Sequence, residues 1–499
     1  MNYLFFFTGL VFLPSLGFSQ FPSLEASPNA YEYHRLVSSQ NSRDYWRDIA
    51  AAALWASSLN TGPGAEEKAA ALVDRITAAV EELTAMPDLP SQSRGRAEYV
   101  LTFLHRRFLK SYSEYQTRVD EIFVSGRYNC VSSAVLYMVL GFSVDLDISG
   151  VVTKDHAFVT VNTGSAPVDV ETTNPYGFDP GNRREFHDNF GKTTGFVYVP
   201  ARNYRDRVAI NAPEMVSLIL SNRISILERG NHYAEAVPLA INRAVLLRGT
   251  ADSSAGEADQ SRADFFEDPH RDIMNRLFNF GSHLVKTGKE DEALAWALYA
   301  GSRFPSREQW QEFIYAAINN KLVKLIRSRK ITDARTALNT LGAVKEKLSP
   351  GQYQALELIV LEAEGAEMIN GIKNPGEAEA ALAFLARIWE RLPELRREEM
   401  RTTAVLKEAE RIGRSGDWIR GMEWLRNAIE KYGSNTRLES AHRTFRQNRV
   451  GELHNQFASL FNKRDYGGAR EFIQKALAEF PGENRLMQDL TLVERALAQ

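Results

Sequence analysis

The chain has 499 residues, 44% of them hydrophobic and 25% charged, an ordinary composition for a globular protein of two or three domains. Its 60 Lys and Arg residues nearly balance its 63 Asp and Glu residues, and the net charge of -3 argues against nucleic acid or an anionic membrane as a general electrostatic partner. The sequence has one cysteine and no Cys-x-x-Cys pattern or His/Cys cluster, so we expect neither a metal site nor a cofactor.

The N-terminus carries the one strongly apolar segment, from Leu4 to Leu16. Gly17 and Ser19 then stand at the -3 and -1 positions for cleavage before Gln20. This pattern predicts a signal peptide over residues 1–19 and export to the periplasm or the extracellular space. The segment is shorter than the roughly 20 apolar residues of a membrane span, so we expect no span after signal removal. An uncleaved membrane anchor and a buried helix are the alternatives.

Residues 20–40 are polar and rich in turn formers, which predicts a loose linker. From residue 45 to about residue 123 the pattern is helical, with two alanine-rich segments separated by a Gly-Pro-Gly turn. Turn residues from 87 to 95 end the second helix, and a third helix is predicted over residues 97–115.

The pattern changes to β-branched residues after Cys130, and residues 151–153 and 157–161 are predicted strands. Residues 163–167 form a turn, so residues 168–172 should return antiparallel to the preceding strand. Residues 196–199 are a further predicted strand. Residues 41–205 are therefore predicted to form one α+β domain, in which helices precede a small antiparallel sheet.

The predicted strands stop near Ala212, and residues 212–499 are predicted to be all-α with a loose internal repeat. A small residue precedes an aromatic or leucine by eleven positions in four pairs: Ala293 and Phe304, Ala381 and Leu392, Gly421 and Tyr432, and Ala469 and Phe480. This arrangement resembles degenerate tetratricopeptide repeats, which implies a helical-repeat solenoid with a concave surface for a protein partner. A non-repeating helical domain is the alternative. The tryptophans of this region stand at helical positions and are predicted to be core residues.

The chemistry of the chain concentrates around Cys130, where a loop meets a predicted helix. A thiol attacks a carbonyl well only as a thiolate, which the N-terminus of a helix stabilises. His156 is a candidate general base and acid, and a carboxylate on its other nitrogen would fix its tautomer. Asp169 and Glu171 stand two residues apart on one predicted strand and so share a face. Either is a candidate for that carboxylate, and we lean slightly to Asp169 by residue type.

These residues resemble the transglutaminase-like superfamily, a branch of the papain-like fold. Its cysteine follows a glycine-containing loop at a helix start, as in Gly126-Arg127-Tyr128-Asn129-Cys130, and its histidine begins a strand, as in His156-Ala157-Phe158. Its aspartate usually leads into Pro-Thr, whereas this chain has Asp169-Val170-Glu171-Thr172-Thr173. The resemblance covers residues 95–200 and leaves Asp169 and Glu171 both open.

The resemblance implies a cysteine protease, peptidase, amidase or transglutaminase that forms a thioester on a protein or peptide substrate. The oxyanion hole would use the Cys130 N–H and a second donor, for which Tyr128 and Asn129 are candidates. Residues 174–181 form a turn-rich, aromatic loop that is either a wall of the substrate cleft or an ordered surface loop. Other interpretations are an inert buried cysteine, a solvated face for the two acids, and an inactive scaffold that binds proteins through its repeats.

Overall fold

The computed structural model describes residues 21–38, 44–58, 65–164, 166–195, 207–248 and 268–498. The predicted signal peptide and the predicted strand at residues 196–199 lie outside this part of the chain. The described residues are mostly helical, with a small antiparallel sheet. They divide into two compact units, residues 1–313 and 314–499.

The first unit begins with four helices and then alternates short strands with helices. Its elements are α1 (Pro28–Ser38), α2 (Tyr45–Ser58), α3 (Ala65–Thr84), α4 (Ser93–Arg107), β1 (Ser111–Tyr112), α5 (Val119–Ser125), β2 (Arg127–Tyr128), α6 (Cys130–Phe142), β3 (Asp147–Thr153), β4 (His156–Asn162), β5 (Pro167–Val170), a 3-10 turn (Pro180–Asn182), α7 (Arg184–Thr194), β6 (Val208–Ile210), α8 (Ala212–Arg229), α9 (Tyr233–Leu246), α10 (Pro269–Lys286) and α11 (Glu290–Arg303).

Helix α12 (Arg307–Arg327) spans the boundary between the units, and the second unit then continues as helices. They are α13 (Ile331–Asn339), a 3-10 turn (Gly342–Lys347), α14 (Pro350–Asn370), α15 (Glu377–Ile388), a 3-10 turn (Trp389–Arg391), α16 (Glu394–Arg414), α17 (Trp418–Tyr432), α18 (Thr436–Asn462), α19 (Tyr466–Glu479) and α20 (Asn484–Leu497). None of the described helices is long and apolar enough to cross a membrane.

The main sheet has four antiparallel strands in the order β5-β4-β3-β6. The predicted return of the chain after residue 167 is confirmed, because β5 pairs antiparallel with β4. Many Val, Phe and Ile side chains of this sheet are buried, and Val159 and Val161 are 0% exposed. Strand β6 was not predicted from the sequence.

Three expectations for the first unit are wrong. Part of the predicted linker forms helix α1, because Ala30 and Val37 are buried and the Ser27 N–H donates to Asn242 at 2.8 Å. The third helix ends at Arg107 rather than near residue 115, because the chain then pairs β1 in parallel with β2. The first unit also extends well past residue 205, since α8 packs on α2 and α6.

The second unit is all-α, as predicted, with successive helices packed on their neighbours. The small residues of the proposed repeat lie where helices approach closely, and Ala381 and Ala469 are fully buried. At Gly421 an added Cβ would lie 2.1 Å from a ring carbon of Phe445. A small residue is therefore needed at this helix contact.

Candidate active site

Cys130 is the first residue of α6, and its side chain is partly exposed. Asn129 caps this helix: its Oδ1 accepts hydrogen bonds from the N–H groups of Val131 at 3.1 Å and Ser132 at 3.0 Å. The Ser132 hydroxyl accepts from the Asn129 N–H in return. The prediction that Cys130 stands at a helix N-terminus is confirmed. The partial positive charge there stabilises a thiolate.

His156 begins β4 and lies between the thiol and a carboxylate. Its Nε2 is 2.5 Å from Oε2 of Glu171. Since Nε2 faces Glu171, Nδ1 is the ring nitrogen left for the sulfur of Cys130, which is near enough to contribute to raising the pKa of the imidazole. The structure thus places Cys130, His156 and Glu171 together at one site.

The register of β4 and β5 explains why Glu171 and not Asp169 contacts the imidazole. Thr160 is paired with Asp169, and Val159 with Val170, the last residue of β5. Extending this register by one residue would bring Glu171 near Phe158. His156 is two residues from Phe158 and four from Thr160 on the same face. At about 3.4 Å per residue, a diagonal contact reaches Glu171 and leaves Asp169 about twice as far away along the strand.

Asp169 has a different set of partners. Its carboxylate accepts a hydrogen bond from the Thr160 hydroxyl at 2.8 Å and a bidentate pair from Arg207, at 2.6 Å from Nη1 and 2.5 Å from Nη2. The Arg207 guanidinium also lies 5.1 Å over the ring of Phe158. The slight preference for Asp169 as the third member is therefore not supported by the geometry. Asp169 fastens β5 to β4 and to the chain that leads into β6.

The protonation state of His156 depends on two opposing effects. Burial disfavours the charged imidazolium, but the Glu171 carboxylate and the hydrogen bonds to Cys130 and Glu171 outweigh it and raise the pKa of His156 well above its usual value. The imidazolium form of His156 is therefore favoured beside Cys130.

The segment that carries Glu171 is held in place by several buried hydrogen bonds. The Thr173 N–H and hydroxyl both donate to Glu171 Oε1, at 3.2 and 2.7 Å. His105 Nε2 lies 3.0 Å from the Thr172 carbonyl oxygen, and the Thr172 hydroxyl is 2.8 Å from that of Ser133 on α6. These contacts fix the carboxylate relative to the helix that bears Cys130.

Sequence reasoning missed His105, because it lies in the last turn of α4, far in sequence from Cys130, His156 and Glu171. Burial lowers the pKa of His105 to about 4, although its bond to Thr172 and the nearby Glu171 charge oppose this shift. The ring is therefore neutral at pH 7, and its Nε2–H donates to the Thr172 carbonyl. No sequence motif marks this histidine.

The two sequence candidates for the oxyanion hole have other partners. The Asn129 amide caps α6 with its oxygen and donates its Nδ2–H to the Glu114 carbonyl at 3.0 Å. The Tyr128 hydroxyl donates to the Thr173 carbonyl at 3.0 Å, and burial, aided by the Glu171 charge, raises the pKa of Tyr128 to about 12. The polar side-chain atoms of both residues are thus engaged in contacts that hold the loop before α6 and the segment after β5 in place.

Tyr112 on β1 is a second residue that sequence reasoning missed. Its ring lies 6.0 Å from that of Tyr128, to which it is paired in register. Burial, followed by the charges of Cys130 and Glu171, raises the pKa of Tyr112. No residue in the described part of the chain forms a hydrogen bond with the Tyr112 hydroxyl. Tyr112 is therefore a neutral O–H donor on the strand that pairs with β2, which leads into Cys130.

Aromatic side chains cover the imidazole. Phe190 on α7 meets the His156 ring edge-on at 6.1 Å, and Phe186 packs against Phe190 at 5.1 Å. Phe158 stacks on the other side at 6.2 Å. This cover limits the access of water to the His156–Glu171 pair and strengthens their interaction.

The loop at residues 174–181 packs against the strand that carries the acid. The Glu171 N–H donates to the Gly177 carbonyl at 2.8 Å, and an added Cβ at Gly177 would lie 1.9 Å from the Glu171 carbonyl oxygen. Phe178 is buried beneath the guanidinium groups of Arg94 and Arg183, while Tyr176 is 43% exposed. The loop thus supports Glu171, and its tip reaches solvent.

Within the described chain, no cluster of three or more His, Cys, Asp or Glu side chains is arranged to hold a metal ion. Neither the known family models nor the curated proteins contain a match to this sequence. A solved structure, "Crystal structure of menin reveals the binding site for Mixed Lineage Leukemia (MLL) protein", is similar at 14% identity over 78% of this chain and 98% of that chain. Its TM-score of 0.29 does not establish a common fold.

Proposed function

We propose that the chain is an exported, transglutaminase-like cysteine acyl-transfer enzyme that acts on a protein or peptide substrate. The observation that carries this proposal is the placement of Cys130 at the start of α6 beside His156 on β4, whose imidazole is hydrogen-bonded to the buried carboxylate of Glu171. The order of helices followed by an antiparallel sheet supports the same assignment. The helical second unit would bind the partner protein.

In the first half-reaction the Cys130 thiolate adds to a substrate carbonyl carbon, and the carbonyl electron pair moves to oxygen. The C–N bond then breaks as the His156 imidazolium donates its proton to the departing nitrogen. The products are an amine and a thioester on Cys130. Glu171 holds the imidazole by Nε2 throughout, so that Nδ1 faces the sulfur and the leaving group.

The second half-reaction resolves the thioester. Water or an amine adds to the thioester carbonyl while His156 accepts its proton, and the C–S bond breaks to return the thiolate. Water gives hydrolysis, whereas an amine gives transamidation. Both outcomes remain within the proposal.

The tetrahedral oxyanion needs donors in both half-reactions. The Cys130 N–H is among the first N–H groups of α6, which have no partner inside the helix. We assign the second donor to the hydroxyl of Tyr112, which lies on β1 beside Tyr128, two residues before Cys130. This assignment replaces Tyr128 and Asn129, whose polar atoms hold the site together.

Two probes test the chemistry on the full chain. Iodoacetamide alkylates a thiolate at a saturated carbon and forms no oxyanion, whereas p-nitrophenyl acetate acylates it through a tetrahedral oxyanion. Intact-mass spectrometry should find one adduct from each probe, and none in Cys130→Ala. Tyr112→Phe should slow acylation about 100-fold and leave alkylation unchanged. Alkylation without any acylation in the wild-type chain would overturn the enzyme assignment and favour an inactive scaffold.

A further inference from the structure

A pocket of about 620 Å³ lies between α15 and α17 in the second unit. This volume is within the range of about 300–1,000 Å³ that is typical of ligand sites. The lining combines the buried Leu385 and Ala428 with the half-buried Leu382 and Trp424. The Trp424 indole N–H donates to the Val405 carbonyl at 2.9 Å, which fixes the ring. We call this pocket the α15–α17 groove.

One end of the groove is closed by a stack of aromatic and cationic side chains. The guanidinium of Arg401 on α16 lies 4.6 Å over Trp389, just after α15, and 4.9 Å over Tyr432, at the end of α17. The ends of α15 and α17 are therefore at the same end of the groove. Lining residues extend along α15 and its 3-10 extension from Glu379 to Glu390, a length of about 16 Å at 1.5 Å per residue.

The closed end offers hydrogen-bond donors for an anion. Arg401 Nη2 donates to Glu398 and to the Tyr432 carbonyl, but no described residue accepts from its Nε or Nη1. Lys431 also lines the groove, and its Nζ lies 5.1 Å over the Tyr432 ring with no carboxylate partner among the described residues. Glu390, the acid at this end, is engaged by Arg397 at 3.6 Å.

We propose that the α15–α17 groove binds a peptide segment of a protein partner that carries large apolar side chains next to an acidic side chain. The apolar residues would fill the space over Trp424 and Leu382, and the carboxylate would reach Arg401 and Lys431 at the closed end. The groove is about as long as five extended residues or three helical turns. This site does not involve Cys130.

The groove also revises the sequence interpretation of two tryptophans. Trp389 and Trp424 were predicted to be core residues, yet both are only half-buried and line the groove. Trp296, in the first unit, is fully buried as predicted. Large aromatic side chains at the centre of a concave apolar surface are typical anchors for a partner.

Selection of a random 12-residue peptide library against the full chain tests the proposal. We expect enriched peptides to carry an acidic residue at one end of a run of apolar residues. Ala386→Trp, which places an indole in the groove from an exposed position, should abolish binding of these peptides by fluorescence anisotropy. Lys431→Glu should weaken binding about tenfold. A peptide in which the acidic residue is replaced by lysine should recover affinity for that variant.

Matched controls come from the same unit. Ala380→Trp adds an indole at an exposed position of α15 outside the groove, and Lys463→Glu reverses an exposed lysine at the end of another helix. Both should bind the peptides like the wild type. Failure to enrich any peptide, or equal binding by Ala386→Trp and Ala380→Trp, would overturn the proposal. Cys130→Ala should bind normally, so this result is independent of the catalytic test.

Discussion

Replacement of Glu171 by Gln tests which carboxylate orients the imidazole. The Gln oxygen can still accept from the Thr173 N–H and hydroxyl, as Glu171 Oε1 does. Its amide NH₂ would then face His156 Nε2, which must become an acceptor. The imidazole proton moves to Nδ1, the nitrogen that faces Cys130. His156 would then be a neutral donor toward the thiol and could not take up its proton.

The magnitude follows from the lost interaction. A hydrogen bond to a charged group contributes about 1.5–3 kcal/mol, which corresponds to a roughly 10- to 100-fold slower reaction of the thiol at pH 7. The assay is the second-order rate constant for iodoacetamide, measured by intact mass from pH 5 to 9. Because the chain has a single cysteine, each adduct reports on Cys130 alone.

Asp169→Asn is the matched control, since it also replaces a carboxylate by an amide on the same strand. Asp169 pairs with Arg207 rather than with His156. We expect this variant to lose some thermal stability and to alkylate within about threefold of the wild type, because the imidazole keeps its partner. The reverse result, slow alkylation in Asp169→Asn and a wild-type rate in Glu171→Gln, would refute the assignment of Glu171.

Three further predictions concern stability. The folded pKa of His105, about 4, lies below its ordinary value of 6.5, so the unfolded chain binds this proton first as the pH falls. From pH 7 to 4, the free energy of unfolding in urea should therefore fall by about 3 kcal/mol more in the wild type than in His105→Gln. Gly177→Ala, whose methyl group meets backbone at 1.9 Å, should cost about 1–3 kcal/mol and slow alkylation, whereas Gly181→Ala, with nothing within 4 Å, should do neither. Gly421→Ala should lower the melting temperature because its methyl group meets a phenylalanine ring at 2.1 Å, while Gly451→Ala, with nothing within 4 Å, should gain about 0.5–1 kcal/mol.

Each of these predictions has an outcome that contradicts it. Parallel pH profiles for the wild type and His105→Gln would mean that this ring titrates at its ordinary pKa when folded. Equal alkylation rates in Gly177→Ala and Gly181→Ala would mean that the loop at residues 174–181 does not position the Glu171 carboxylate. A Gly421→Ala protein that is as stable as the wild type would mean that the close helix contact does not require glycine at this position.

The local chemistry around Cys130 was accessible from the sequence because each signal is short in range. A capping asparagine and small residues mark the start of α6, and β-branched residues with a turn mark the hairpin of β4 and β5. Period-2 alternation placed Asp169 and Glu171 on one face, as the register requires. These features depend only on neighbouring residues.

The choice between the two acids was not accessible, because it depends on register, and register depends on how β5 pairs with β4. His105 and Tyr112 are contributed by elements distant in sequence and carry no motif. Strand β1 was predicted as helix, since two residues of parallel pairing leave no periodic signal. The unit boundary was misplaced because α8 is helical like the second unit and packs with the first.

The energetics of the site offer a test that separates the proposed enzyme from an inactive scaffold. The side chains of His156 and Glu171 are 14% and 3% exposed, and a buried ion pair is weak evidence for stability because desolvation offsets its attraction. His156→Phe alone strands a buried carboxylate and should cost about 3–5 kcal/mol. Adding Glu171→Gln removes that charge and keeps the acceptor for Thr173.

The double variant should therefore unfold within about 1 kcal/mol of the wild type, yet be inert to p-nitrophenyl acetate. Urea unfolding of both single variants and the double variant measures this coupling. A double variant that loses as much stability as the sum of the two single variants would mean that the pair holds the fold together. In that case a structural role in an inactive scaffold would explain the presence of His156 and Glu171 equally well.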